Sequence, residues 1–205
     1  EAGTTLSIGA PAPSGNPVTV NQPGLPLVDV IGGVRDTFMQ NMSLGGLNVT
    51  AQIYDPAGAP VDYILDLSSA GTEVGTWRLS YGTAVGGAAP GNLTVGPASH
   101  IVFWFQYADA GATVLMYASD GTNSDTDTQS TSGPGYLTFP FANFTGVDFS
   151  SIQNLYFEVT GLAAGDYGIR LLETREDPAV PEPATIALLG FGLAALARRR
   201  RSRKS

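Results

Sequence analysis

Between Leu27 and Glu176 the chain turns often and shows no helical repeat. Apolar or alternating runs recur roughly every 8–15 positions, each closed by Gly, Pro, Asn or Asp. No window of helix length carries an apolar period of 3.6, so strands are the regular element the body supports. The runs are Arg35–Met42, Leu47–Tyr54, Tyr63–Leu67, Thr76–Tyr81, Gly91–Val95, Ile101–Tyr107, Thr113–Tyr117, Tyr136–Phe139, Asn154–Val159 and Gly168–Thr174. Short strands this numerous bury their apolar faces best in two packed layers. The expected fold is all-β, an antiparallel, jelly-roll-like β-sandwich followed by a short C-terminal hydrophobic helix.

Length allows one such domain with extensions at both ends. Residues 1–26 carry Pro11, Pro13, Pro17, Pro23 and Pro26 and read as an extended lead-in with room for one edge strand. Residues 27–176 form the sandwich, and 177–205 are a separate terminal signal. Val102–Tyr107 is apolar at nearly every position, which predicts a central strand covered on both faces. Phe141–Phe149 reads as a connecting loop whose phenylalanines plug one end of the sandwich. Ser150–Ile152 reads as a helical turn.

Charge is distributed unevenly. Of ten basic residues, six lie in the last eight positions, which leaves four arginines in residues 1–197 against all eighteen acids. A body so acidic repels phosphate backbones and excludes nucleic acid as a partner. The same surface serves solubility or takes divalent cations. The chain has no cysteine, which removes disulfides, thiolate metal sites and thiol nucleophiles. A start at Glu1-Ala2 without Met is what a trimmed signal peptide would leave.

The C-terminal segment has three parts. Pro181-Glu182-Pro183 comes first, then the uncharged run Ala184–Ala197, then Arg198, Arg199, Arg200 and Arg201 with Arg203 and Lys204 behind them. As a helix the run is about 21 Å long, short of the ~30 Å hydrocarbon core of a bilayer. Gly190 and Gly192 weaken it further. Both prolines precede the helix, where a missing N–H costs little, and Glu182 complements its positive end. The arginine cluster belongs on the cytoplasmic side, which places the body outside. These features suit a transient stop-transfer signal better than a permanent anchor.

In order and position this segment resembles the PEP-CTERM sorting domain. The resemblance implies export across the inner membrane, transient residence there, and recognition and cleavage by an exosortase-type enzyme. Pro181, Glu182 and Pro183 would then be substrate for that enzyme, and the product would go to the cell surface or the extracellular matrix, in association with exopolysaccharide. Two shorter stretches of the body carry a weaker likeness. Ile31-Gly32-Gly33-Val34-Arg35-Asp36 is similar to a recurring opening of PEP-CTERM protein bodies. Leu137–Phe141 with Val147–Ile152 is similar to the late strands of jelly-roll carbohydrate-binding modules.

Few residues point to chemistry. The single histidine, His100, follows Ser99, and no Gly-x-Ser-x-Gly elbow is present to activate a serine. Neighbours on a strand point to opposite faces, which argues against a Ser–His pair. A glycosidase needs only two carboxylates across a cleft, and Asp62, Asp66, Glu158 and Glu173 lie on or beside predicted strands. Asp120, Asn123, Asp125 and Asp127 form an oxygen-rich loop with the composition of a Ca²⁺ site. The same run reads as a polar loop of turn formers. Trp77, Tyr54 and Tyr81 are candidates for stacking on sugar rings, Trp77 first because it follows Gly75-Thr76 at a strand start. The body is therefore expected to be a non-enzymatic, structural surface or matrix protein, with carbohydrate binding as the alternative and a glycan-active enzyme behind both.

Overall fold

The computed structural model describes residues 8–10, 17–24, 34–42, 49–54 and 64–176. Within them the strands are β1 (Ile8–Ala10), β2 (Val18–Gln22), β3 (Arg35–Asn41), β4 (Val49–Tyr54), β5 (Ile64–Ser69), β6 (Gly75–Gly82), β7 (Ala98–Ala108), β8 (Thr113–Ser119), β9 (Ser124–Ser130), β10 (Gly135–Pro140), β11 (Asn154–Thr160) and β12 (Asp166–Glu176). Two six-stranded sheets result. The first has the order β1-β4-β5-β12-β7-β10 and the second β2-β3-β6-β11-β8-β9. Every strand pairing is antiparallel.

Strand alternation selects the core. On β11, Leu155, Phe157 and Val159 are buried while Tyr156 and Glu158 are not. On β8, Val114, Met116 and Ala118 face the same interior. The first sheet answers with Ile101, Phe103 and Phe105 of β7, Phe139 of β10, Leu67 of β5 and Tyr167 of β12. Phe103 meets Phe157 edge-on across the seam at 4.5 Å between ring centres. Each buried aromatic removes roughly 150–250 Å² from water, a gross gain of about 4–6 kcal/mol at 25 cal/mol per Å².

The all-β sandwich is present, with differences in detail. Gly91–Val95 is no strand: Gly91 bridges Ile152 alone, and Asn92 Oδ1 accepts the Thr94 amide at 2.8 Å. That Asx turn, with φ of +75° at Gly91 and +71° at Gly96, bends the backbone out of extension. Conversely, Ser124–Ser130, expected in a polar loop, is edge strand β9. It carries no apolar residue and so gives no hydrophobic period. The lead-in supplies two strands rather than one, β1 to the first sheet and β2 to the second. Strand β7 is one strand in from the sheet edge, not central. Phe144 and Phe149 are buried as the plug expected at one end. The turn at Ser150–Ile152 is a single one, closed by Ser151 N–H to the Asp148 carbonyl at 3.1 Å. The expected C-terminal helix, Ala184–Ala197, lies outside the described residues.

Candidate functional site

The outer face of the second sheet concentrates aromatic and charged side chains. Unbroken register across β3, β6, β11 and β8 aligns its outward residues in rows. One row is Phe38–Arg78–Glu158–Leu115, the next Asp36–Ser80–Tyr156–Tyr117, and on the other side Gln40–Thr76–Thr160–Thr113. Directly opposed side chains on neighbouring strands are close enough to touch. The Arg78 guanidinium lies over the Tyr156 ring at 4.6 Å and the Phe38 ring at 5.2 Å. Its Nε donates to Glu158 Oε2 at 2.8 Å. Tyr156 and Tyr117 are stacked, with ring centres 4.7 Å apart and planes 10° apart.

That separation is about the spacing of two strands, so the two rings stand face to face across the gap. Edges and hydroxyls are then what the pair offers to solvent. The result is a ridge of three rings and one guanidinium crossing four strands, roughly 14 Å wide. All of these side chains are partly buried, with the remainder open to solvent. Burial raises the Tyr156 pKa, with Glu158 and Tyr117 adding to the rise and Arg78 opposing it. Its hydroxyl is therefore a protonated donor at neutral pH. Thr76 and Thr160 hydroxyls lie 3.4 Å apart in the adjoining row. Chemically the face is a fixed array of hydroxyls and one neutralised ion pair, set on aromatic rings. It suits recognition of an uncharged, hydroxyl-rich ligand.

Sequence reasoning named a different aromatic. Trp77 is only 2% exposed: it lies on the inward register of β6 and donates Nε1–H across the seam to the Thr50 carbonyl at 2.9 Å. Its ring meets Tyr167 edge-on, and a Cβ on Gly161 would lie 3.0 Å from it. Gly75, which suggested an exposed strand start, instead makes room for the indole: a Cβ there would collide with the ring. Trp77 ties the two sheets together and is not available to stack on a sugar. Tyr81 is likewise buried, edge-on to Phe157. The Tyr54 side chain is outside what is described. Tyr117, Tyr156, Arg78 and Phe38 were not singled out, although the placement of Tyr156 between Leu155 and Phe157 marks it as outward on any buried-face reading of β11.

The carboxylate candidates do not gather. Glu158 is on the second sheet, paired with Arg78, while Glu173 is on the first, paired with Arg175. Asp66 accepts the Tyr107 hydroxyl at 2.8 Å. Asp62 lies outside the described residues. His100 is buried, and contrary to the expectation from strand alternation its Nδ1 lies within hydrogen-bond distance of Ser99 Oγ, at 3.2 Å, the two being neighbours near the start of β7.

The acidic run proves to be a lock on the β10–β11 loop. Asp120 Oδ1 accepts the amides of Thr122 and Asn123, and Oδ2 accepts that of Asp148, all at 2.7–2.9 Å. These bonds pull its pKa from 3.8 down to about 2, that from Asn123 contributing most. Asp125 takes the Thr126 and Thr145 amides, and its pKa also falls. Asp127 accepts from Asn143 Nδ2 at 2.8 Å. Asp125 and Asp127 thus sit on β9 rather than on a loop, and Asn123 gives its amide to Asp120. Among the described residues no three of His, Asp or Glu gather as a metal site would require.

A family model for the PEP-CTERM protein-sorting motif matches residues 179–201. The chain therefore carries that sorting motif, over the stretch holding Pro181, Glu182, Pro183, Ala184–Ala197 and Arg198–Arg201, and the motif marks an exported protein handled at the membrane. Among the described residues no helix is long and apolar enough to cross a membrane. No curated protein matches this chain. Solved structures similar to it include TmCBM61 in complex with β-1,4-galactotriose, at 13% identity and a TM-score of 0.43, covering 69% of this chain and 88% of that one. A family 11 carbohydrate-binding module from Clostridium thermocellum, in complex with a β-1,3-1,4-mixed-linked tetrasaccharide, has 12% identity and a TM-score of 0.35, covering 78% and 89%. The enzymatically active domain of bacteriophage CBA120 tailspike protein 4 has 10% identity and a TM-score of 0.39, covering 74% of this chain but 20% of that one.

Proposed function

We propose that the sandwich is the non-enzymatic working part of an exosortase-sorted surface or matrix protein, and that it binds polysaccharide across the outer face of the second sheet. The observation that carries this is the Phe38–Arg78–Tyr156–Tyr117 ridge. Its donors and acceptors are held in place by stacking and by the Glu158 pair, so little side-chain entropy is lost when a ligand arrives. A pyranose chain offers hydroxyl rims and apolar C–H faces, which suit the hydroxyls and ring edges of this array. The acidic body repels polyanions, so a neutral polymer is the expected ligand. The sorting motif supports delivery: exosortase cleavage near Pro181–Pro183 would free the sandwich from the inner membrane into the exopolysaccharide outside.

The test is electrophoresis of the full chain, in mild detergent, through gels cast with a soluble β-glucan, a β-galactan or a polyuronate. Retardation by a neutral polymer, weakened about tenfold in Tyr117→Ala, is expected. No retardation in any gel would remove the reading. Topology has a separate check. A reporter fused after Ser205 should stay cytoplasmic, and a periplasmic signal would contradict the sorting orientation.

A further inference from the structure

The opposite side of the molecule carries a second aromatic surface, made by β7, β10 and β12. Tyr136 of β10 pairs in register with Trp104 of β7, and their rings stack with centres 6.2 Å apart and planes 28° apart. Tyr136 is 58% exposed, one of the few large hydrophobic side chains open to solvent among the described residues. Stacked on Trp104 and with its polar tip in solvent, the ring is held ready for contact without rearrangement. Arg175 of β12 lies over the Tyr136 ring at 4.6 Å and is ion-paired with Glu173. Hydrogen bonding to Tyr136, and then to Glu173, raises the Arg175 pKa. A hollow beside the ring is lined by Thr131, Ser132, Gly133, Pro134 and Gly135. The Thr131 hydroxyl is buried, bonded to the Asp109 carbonyl and the Ala112 amide, so the exposed Ser132 and the turn backbone are what stand open next to the aromatic surface.

Charge selects the occupant. Arg175 and Glu173 cancel, so the patch is locally neutral on an acidic body. A polyanion would meet net repulsion, and a cationic partner would find no unpaired acid among these side chains. An uncharged pyranose chain matches, with C–H faces against Tyr136 and hydroxyls toward the exposed Ser132 and the ion pair. The two outer faces point in opposite directions across a core about 10 Å thick. A short stretch of one chain cannot occupy both.

We propose that Tyr136, Trp104 and Arg175 form a second polysaccharide contact, so that one sandwich bridges two neutral chains. This rests on the reading that the ligand is a polysaccharide. It adds that the domain cross-links a polymer rather than merely adhering to it.

The test again uses the full chain with the soluble β-glucan and β-galactan, now combining gel retardation with light scattering of polymer–protein mixtures. Wild type should raise the scattering of the polymer it binds. Tyr136→Ala, at an exposed site, should stay folded with at most a modest drop in melting midpoint and lose that rise. Its retardation should fall roughly 2- to 12-fold, the worth of one aromatic contact. Tyr117→Ala should also lose the scattering but retain partial retardation, and only the double variant should migrate freely. Arg175→Gln gives a milder version of the Tyr136→Ala result. If Tyr136→Ala scatters and migrates like wild type, the second contact is overturned and the second-sheet site stands. If Tyr117→Ala alone abolishes all retardation, the second contact is likewise overturned. If wild type binds neither polymer, both readings fall.

Discussion

The seam between the sheets and the outer face of the second sheet are built from the same strands, yet their aromatics do opposite work. On β6, Trp77 and Tyr81 face inward and are almost fully buried, while Arg78 between them faces outward and stays partly exposed. On β11, Phe157 is 2% exposed and its neighbour Tyr156 is partly exposed. In the seam, rings meet edge-on and the indole N–H of Trp77 is bonded to a backbone carbonyl. Outside, rings stack in parallel and alternate with a cation. A single step along a strand thus separates an aromatic that holds the fold from one free to meet a partner. Substitutions on the two sides should separate stability from binding.

The seam should show the largest effects. Trp77→Ala opens a cavity between Tyr167 and the glycine-lined wall, and a loss of about 3–5 kcal/mol in unfolding free energy is expected. Trp77→Phe keeps most of the volume but strands the Thr50 carbonyl, at about 1–3 kcal/mol. Chemical denaturation measures both. A Trp77→Phe change within 0.5 kcal/mol of wild type would mean that the cross-seam hydrogen bond contributes little. Polymer retardation by the folded fraction should be unchanged in either case.

Acid should act on neither face but on the end cap between them. Asp120, Asp125 and Asp148 all have lowered pKa values, Asp120 through backbone amides down to about 2. A depressed carboxylate stabilises the fold above its unfolded value, here 3.8, and loses that contribution as pH falls through the folded value. The melting midpoint should therefore drop between about pH 4 and pH 2, and Asp120→Asn should begin lower and drop less steeply. A variant as acid-sensitive as wild type would show that Asp120 is not part of the lock. Calcium added to the same assay tests the other use of these oxygens. Since their lone pairs already meet amide donors, the midpoint is expected to stay within error of that in chelator.

How much of this was legible in the sequence depended on whether a segment advertised its burial. Strands β6, β7, β8 and β11 alternate apolar and polar residues, or are apolar throughout, and their positions follow from that. Strand β9, all Ser, Asp, Thr and Gln, has no apolar side to reveal. Its inward Asp125 and Asp127 meet loop amides instead of core, a partnership set by residues some 16–20 positions away. Gly91–Val95 failed for the converse reason, an apolar-looking run whose glycines and Asx turn bend it. Trp77 was misplaced because residue type was weighed above phase. Its even spacing from Leu79 and Tyr81 puts all three on one face of β6, and the core takes that face. The sorting motif was legible in full, since its order of parts is local and needs no tertiary partner.

On the outer face, changes should leave the fold nearly intact and move binding. Arg78→Ala removes a partly exposed ion pair and two ring contacts, and about 1–2 kcal/mol of stability is expected to go with them. Polymer retardation should fall about tenfold as the ridge loses its centre. Glu158→Gln should cost less, because Arg78 keeps both rings and an amide oxygen still accepts its hydrogen bond.

Tyr117→Phe is the smallest change and the sharpest. It keeps the stack on Tyr156 and removes one hydroxyl at the solvent end of the ridge, so the melting midpoint should not move. If the hydroxyls of the ridge read the rim of a pyranose chain, losing one neutral hydrogen bond of about 0.5–1.5 kcal/mol weakens retardation roughly 2- to 12-fold. If retardation is unchanged while Tyr117→Ala weakens it about tenfold, the rings act through their apolar edges alone. The outer aromatics would then resemble those of the seam, in contact chemistry if not in burial.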